Sequence, residues 1–267
     1  MNRKCTINMS KNILRDVLEM SYSAKASHIG SSLSIVDILS VLYGKVLKYN
    51  PKNPTLENRD RLILSKGHAC AALYATLANY GFFSRKELSK YGEDFSMLMA
   101  HASHKVPGVE FSTGSLGHGL PYGVGLAFAA KRKKKKWRVF VINSDGEMAE
   151  GSNWEAILFS AHHKLNNLCL IIDYNKLQSF TSIKNTLNIE PFKQKLDAFG
   201  WYTKIVDAHN HNKLNSVFTN VSKVKDKPIC IIANSIKGKG VSFMEDKVLW
   251  HYKSLELNQY KKALSEI

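Results

Sequence analysis

The sequence predicts an α/β fold, three α/β/α layers around a mostly parallel sheet, and two features point there. Three apolar β-type runs, WRVFVI (137–142), LCLIID (168–173) and PICIIA (228–233), recur with helical stretches between them. That alternation builds parallel strands with helices packed on both faces. The first run leads into NSDGEMAEGSNWEA (143–156), which sets glycines and acids between a strand end and a helix start. In open parallel sheets ligands collect at such places.

The elements follow in order. Ser10 to about Ala26 has helical periodicity through Ile13, Leu14, Val17 and Leu18 behind a serine cap, and a second helix is expected from about Ser34 to Leu47. RLILS (61–65) reads as a short strand, followed by an alanine-rich helix closed by Gly81. The stretch from Gly114 begins in glycines and becomes a helix ending in KRKKKK, Lys131 to Lys136. A helix end running into a surface turn explains those lysines, which also suit the helix dipole. WYTKIV (201–206) reads as a further strand, and no repeat or linker divides the chain.

At 267 residues, one large domain over 1–267 is expected rather than two small ones. Lys and Arg outnumber Asp and Glu by 38 to 22. No zinc-finger spacing or RNP-like aromatic motif accompanies that charge, so a lysine-rich proteome explains it better than nucleic acid. Cys5, Cys70, Cys169 and Cys230 are scattered without paired spacing, which suits a reducing cytosol and small core residues. The N-terminal residues lack an apolar signal core, and no window approaches a membrane span of about 18 apolar residues. A soluble, cytoplasmic protein is expected.

Asp145 lies at the carboxyl end of one strand, and the next ends at Asp173 and Asn175, 30 residues beyond Asp145. If the two strands are neighbours, about 4.8 Å apart, one carboxylate and one amide oxygen reach the same ion. With a backbone carbonyl they suit a hard cation such as Mg²⁺, which commonly takes phosphate oxygens to complete its octahedron. Gly146, without a Cβ, lets a phosphate approach the backbone closely. The spacing alone also allows Asp145 to be simply a helix cap.

Several motifs in order resemble the transketolase family, specifically its N-terminal, diphosphate-binding domain. SDGEMAEG with Asn175 is similar to the thiamine diphosphate motif, a Gly-Asp-Gly opening with an Asn about thirty residues on. ASHIG (26–30) resembles Ser-Gly-His-Pro-Gly, RLILSKGHA resembles Leu-Ser-Asn-Gly-His, and STGSLGHG resembles Thr-Thr-Gly-Pro-Leu-Gly-Gln-Gly; DYNKL and WHYK, the latter like Trp-His-Gly, follow. Ser144 departs from the first glycine of the metal motif, ASHIG lacks the proline, and the family histidine near HASHKVPGVE falls on His101 or His104. A φ > 0 requirement at Ser144 would cost about 1 kcal/mol.

The resemblance implies the thiamine diphosphate-binding fold and Mg²⁺ ligation by Asp145, Asn175 and the Leu177 carbonyl, with Ca²⁺ or Mn²⁺ able to substitute. Gly114, Leu116, Gly146 and Glu147 would contact the cofactor, and His68 would lie near its diphosphate and the reacting carbon. His28, His101 and His251 would line a substrate channel, where imidazoles with pKa near 6.5 can move protons. Glu150 would join a proton network at a chain–chain contact.

The implied activity is transfer of a two-carbon ketol unit from a ketose to an aldose, with sugar or sugar-phosphate substrates. The family's activating glutamate belongs to a second, pyrimidine-binding domain, and no second set of strand–helix units follows WHYK. The expectation is therefore one subunit of a split enzyme, active with a C-terminal partner in a two-plus-two heterotetramer. A deoxyxylulose phosphate synthase-like or 2-oxoacid dehydrogenase-like subunit, or a non-catalytic scaffold, is the alternative.

Overall fold

A computed structural model describes residues 5–221 and 223–267. Five strands form one sheet: β1 (Arg61–Leu64), β2 (Val139–Ser144), β3 (Leu168–Tyr174), β4 (Tyr202–Asp207) and β5 (Ile229–Asn234). Their order is β1-β2-β3-β5-β4 and every pairing is parallel. The helices are α1 (Thr6–Ser23), α2 (Ile29–Leu33), α3 (Val36–Val41), α4 (Cys70–Asn79), α5 (Gly119–Arg132), α6 (Gly151–His162), α7 (Ile183–Thr186), α8 (Phe192–Ala198), α9 (His211–Val221) and α10 (Leu257–Ser265).

Alternate residues of each strand feed two separate cores, as the period-2 side-chain alternation demands. Leu62, Phe140, Ile142, Ile171 and Ile231 pack with α1, α3, α4 and α9 on one face. Ile63, Val139, Val141, Leu170 and Ile232 pack with α5, α6 and α8 on the other. Strands β2, β3 and β5 are buried on both sides, whereas β4 at the edge leaves Lys204 and Ile205 exposed. That difference explains why WYTKIV reads as a more polar strand than the others.

Helix α1 begins at Thr6, one turn before the serine expected to cap it. The Thr6 carbonyl accepts from Ser40 Oγ at 2.7 Å, and Thr6 Oγ1 lies 2.8 Å from His211 Nδ1, so tertiary contacts extend the helix. Ser10 is consequently buried. The second expected helix forms as α3 and its continuation, while the short α2 ahead of it is not among the expected elements. Ser34 Oγ donates to the Ser31 carbonyl at 3.0 Å and to Asp173 at 2.7 Å, and the chain reorients between α2 and α3 where that serine competes for the backbone. A π turn over Leu42–Val46 then ends the run.

Contrary to the expectation that no window approaches a membrane span, the 18-residue stretch Ile29–Val46 has a mean hydropathy of 1.4, but 78% of it is buried inside the protein, as a core segment is. In KRKKKK, Lys131 donates to the His163 and Lys164 carbonyls at 3.0 and 2.6 Å, tying the end of α5 to the end of α6. All four cysteines are free; three are buried, but Cys5 is exposed at the start of α1 rather than in the core.

Candidate active site

The carboxyl ends of β1, β2, β3 and β5 are adjacent along one edge of the sheet, so the loops that follow them meet. They carry Ser65 to His68, Asp145 to Glu147, Asn175 to Gln178, and Ser235 to Lys237. The register pairs Ser144 with Asp173, which sets Asp145 beside the turn after β3. Asp145 Oδ2 accepts the Asn175 and Lys176 N–H groups at 2.9 and 2.6 Å, and Oδ1 accepts Gly146 N–H at 2.8 Å. This carboxyl is 1% exposed. Burial, then the charge of Asp173, push its pKa up to about 7 despite those donors, and a bound cation would hold it ionised.

Asn175 Oδ1 accepts Leu177 N–H at 3.1 Å, and the Leu177 carbonyl accepts no hydrogen bond among the described residues. Also among the described residues, no three His, Cys, Asp or Glu side chains gather at metal-holding spacing. Any cation here would rely on one carboxylate, one amide oxygen, one carbonyl and oxygens of a ligand, a set that fits Mg²⁺ rather than zinc. Buried Gln178 Nε2 has no partner among the described residues, and a Cβ on Gly146 would lie 2.9 Å from Gln178 Cγ. An orphan donor beside a glycine suits a phosphate oxygen.

Ser144, the departure from the glycine pattern, is the last residue of β2 and has no positive φ. The anticipated strain is absent. Its Oγ accepts Glu147 N–H at 3.2 Å and its own N–H donates to Glu147 Oε2 at 3.2 Å.

Two buried lysines lie behind this loop, and sequence reasoning missed both. Lys66 Nζ donates to Asp173 Oδ2 at 2.6 Å and to the Ser31 carbonyl at 3.0 Å. Asp173 also accepts from Ser34, Ser235 and, at 3.3 Å, Asn175 Nδ2. Burial pushes the Asp173 pKa up, but Lys66 and these hydroxyls outweigh it and hold it below the usual range. Lys237 Nζ donates to the Gln178 carbonyl at 3.2 Å and to His251 Nδ1 at 2.9 Å. Burial, then the nearby Lys66, pull the Lys237 pKa down to about 8. In a chain with 38 Lys and Arg, composition gives no hint of which two are buried; only their places after strands β1 and β5 could have pointed to them.

His28, His68, His101 and His251 come together. Ring centroids lie 5.2 Å apart for His28 and His68, 5.9 Å for His28 and His101, 5.0 Å for His28 and His251, and 5.5 Å for His68 and His251. His28 has a left-handed backbone, φ 68°, and donates its N–H to the His251 carbonyl at 2.8 Å. A non-glycine residue in that region costs of order 1–3 kcal/mol. Burial leads in lowering the His28 pKa to about 4 and that of His251 to about 3, with Lys237 and Lys66 adding to it. It likewise pushes His68 well down. These three imidazoles are therefore neutral at pH 7, so the ordinary histidine value expected from sequence does not apply to them.

Both His101 and His104 are exposed, but the structure sets His101 beside His28, whereas His104 is bonded to Ser112 Oγ at 2.7 Å. A Cβ on Gly114 would come 3.2 Å from His101 Cδ2, so this glycine gives the ring its space. Leu116 is half-buried in the same loop.

Glu147, expected among the cofactor contacts, has partners within the chain. It is fully buried, and its carboxylate accepts from Ser65 Oγ, Ser144 N–H and, at 2.9 Å, Gly117 N–H. It pins the 112–119 loop to the ends of β1 and β2 with all of its nearby donors used. Glu150 is exposed at the N-terminus of α6 and makes no side-chain cap there.

Comparison with known proteins gives consistent matches. Residues 4–265 match the family model "Transketolase, thiamine diphosphate binding domain". The chain is similar to an apulose-4-phosphate transketolase subunit of Phocaeicola vulgatus, 39% identical across 94% of this chain and 89% of that one. Human transketolase is 35% identical over 94% of this chain and 40% of its own length. The crystal structure of transketolase from Campylobacter jejuni superposes with a TM-score of 0.92 at 33% identity, over 100% of this chain and 43% of that one. The chain thus spans about two fifths of the solved transketolases.

Proposed function

Since this chain belongs to the transketolase family, as its thiamine diphosphate binding domain, we propose that residues 1–267 act as one diphosphate-binding domain that holds the cofactor through Mg²⁺ on Asp145, Asn175 and the Leu177 carbonyl. What supports this reading is that Asp145 accepts the Asn175 and Lys176 N–H groups, which holds its carboxylate against the turn that carries Asn175 and Leu177, beside Gln178 Nε2, which has no partner among the described residues. Ca²⁺ or Mn²⁺ would satisfy the same oxygens. Thiamine diphosphate, when bound, supplies the carbon–carbon chemistry that moves a two-carbon ketol unit from a ketose to an aldose.

The chain's own residues bind, orient and move protons. Lys237 Nζ and Gln178 Nε2 face the diphosphate, and Gly146 leaves it room. Gly114 and Leu116 support the organic part of the cofactor, while Glu147 braces their loop. Neutral His28, His68 and His251, together with His101, exchange hydrogen bonds and protons with substrate hydroxyl and carbonyl oxygens.

A second chain with the pyrimidine-binding domain completes the site in a two-plus-two assembly, with Glu150 at a chain–chain contact, in the cytoplasm. Relatives that this chain covers over most of their length are named as single subunits of a transketolase, which supports the split arrangement. Calorimetry of cofactor binding to the assembled enzyme, with and without Mg²⁺, tests the metal reading. Asp145→Ala should abolish Mg²⁺-dependent binding; undiminished affinity refutes the assignment. Ketol transfer by this chain alone, before and after adding the partner, tests the split: full activity without the partner refutes it.

A further inference from the structure

Beside the histidine cluster stand two exposed aromatic rings to which that reading gives no role. Phe180, in the turn after the Asn175 loop, is 80% exposed, and Tyr252, which follows His251, is 51% exposed. Their centroids lie 5.5 Å apart with planes 40° apart. Tyr252 is 4.7 Å from His251 and 5.8 Å from His28. The two rings therefore extend the imidazole wall outward instead of forming a separate patch. Tyr252 also stands where the pattern Trp-His-Gly has no side chain, so this part of the wall is an addition peculiar to WHYK.

From this geometry we infer that Tyr252 and Phe180 form an aromatic platform at the mouth of the site that packs against the carbon chain of the sugar beyond the two carbons transferred. This rests on the proposed ketol transfer and adds a specificity determinant to it. Sugar chains present C–H faces between hydroxyl edges. Neutral imidazoles meet the hydroxyls by hydrogen bonds, while an aromatic face meets the C–H groups by dispersion and its negative π surface. Ligand sites commonly combine apolar aromatic lining with a few placed polar groups. Tyr252 has an ordinary backbone, φ −115°, so glycine can replace it without strain.

The test uses the assembled enzyme with its partner, Mg²⁺ and thiamine diphosphate, and glycolaldehyde as a short acceptor. Two kinds of donor are compared: hydroxypyruvate, which loses only carbon dioxide beyond the transferred unit, and xylulose 5-phosphate or fructose 6-phosphate, which carry a distal chain. The readout is the ratio of ketose KM to hydroxypyruvate KM. Tyr252→Gly should raise it about three- to tenfold, the worth of one aromatic contact, and Tyr252→Phe should keep the wild-type ratio because the ring provides the contact. Phe180→Ala should act in the same direction.

An unchanged ratio in Tyr252→Gly overturns the platform. So does a loss of the complex in sedimentation velocity, which would make the pair an interface with the partner. Absence of turnover with hydroxypyruvate in the wild-type complex would instead defeat the ketol-transfer reading itself.

Discussion

Replacing Lys66 by Met isolates what the buried ion pair contributes and gives a stability deficit whose pH dependence is fixed in sign. Lys66 and Asp173 are 1% and 0% exposed at 2.6 Å, so solvent screens neither charge. In the wild type Lys66 holds the Asp173 pKa below its unfolded value, so this carboxylate stabilises the fold above the unfolded pKa and loses that effect as pH falls toward the folded one. Without Lys66, burial dominates and the folded pKa rises above the unfolded value. Folding then takes up a proton between the two, and stability declines by about 1.4 kcal/mol per pH unit above an unfolded pKa near 3.9.

The deficit from this source should be about 1.5 kcal/mol at pH 5 and reach about 3–5 kcal/mol above pH 7, the range for removing one partner of a buried pair. The Ser31 carbonyl loses its bond from Lys66 but keeps the one from Ser34 Oγ, so it adds only a small offset independent of pH. Urea unfolding followed by circular dichroism at pH 5, 6, 7 and 8 measures it. The double variant Lys66→Met/Asp173→Asn should flatten the slope, because no carboxyl remains to titrate there. A deficit under 1 kcal/mol at pH 8, or one equal at pH 5 and pH 8, refutes the reasoning.

Two further outcomes follow from the site geometry. Gly67→Ala places a Cβ 2.3 Å from the Thr113 carbonyl oxygen and should cost about 1–3 kcal/mol in urea unfolding, whereas Gly125→Ala, on α5 with nothing within 4 Å of the added atom, should be neutral or slightly stabilising; equal effects would show that the 112–119 loop yields freely. In the assembled enzyme, His68→Ala, His251→Ala and His28→Asn, the last chosen because Asn tolerates the left-handed backbone, should lower turnover by about 10² to 10⁴ while keeping a near-native Tm. A fall in Tm that accounts for the lost activity would make them structural histidines.

The sequence by itself determined the strands, their parallel arrangement and the adjacency of Asp145 and Asn175, because each is written in short-range pattern. Strand identity follows from apolar runs, and a strand–helix–strand unit of 30 residues brings successive carboxyl ends side by side. The four histidines were legible through their motifs, but the neutrality of His28, His68 and His251 was not, since it arises from burial and from Lys66 and Lys237, which come from distant parts of the chain.

Tertiary structure alone decided the rest. It added the short α2 ahead of the second expected helix and turned the chain at Ser34, whose hydroxyl meets Asp173, 139 residues away. It made Glu147 a brace for the 112–119 loop, because Ser65 and Gly117 supply donors that local sequence cannot foresee. The fold set His101, and not His104, beside His28, with Gly114 leaving room for the ring. Patterns of period two or 3.6 report which way a side chain faces, but not which charge or donor the fold will bring to it. Desolvation and long-range hydrogen bonding set that, and both exist only once the sheet has gathered its loops at one edge.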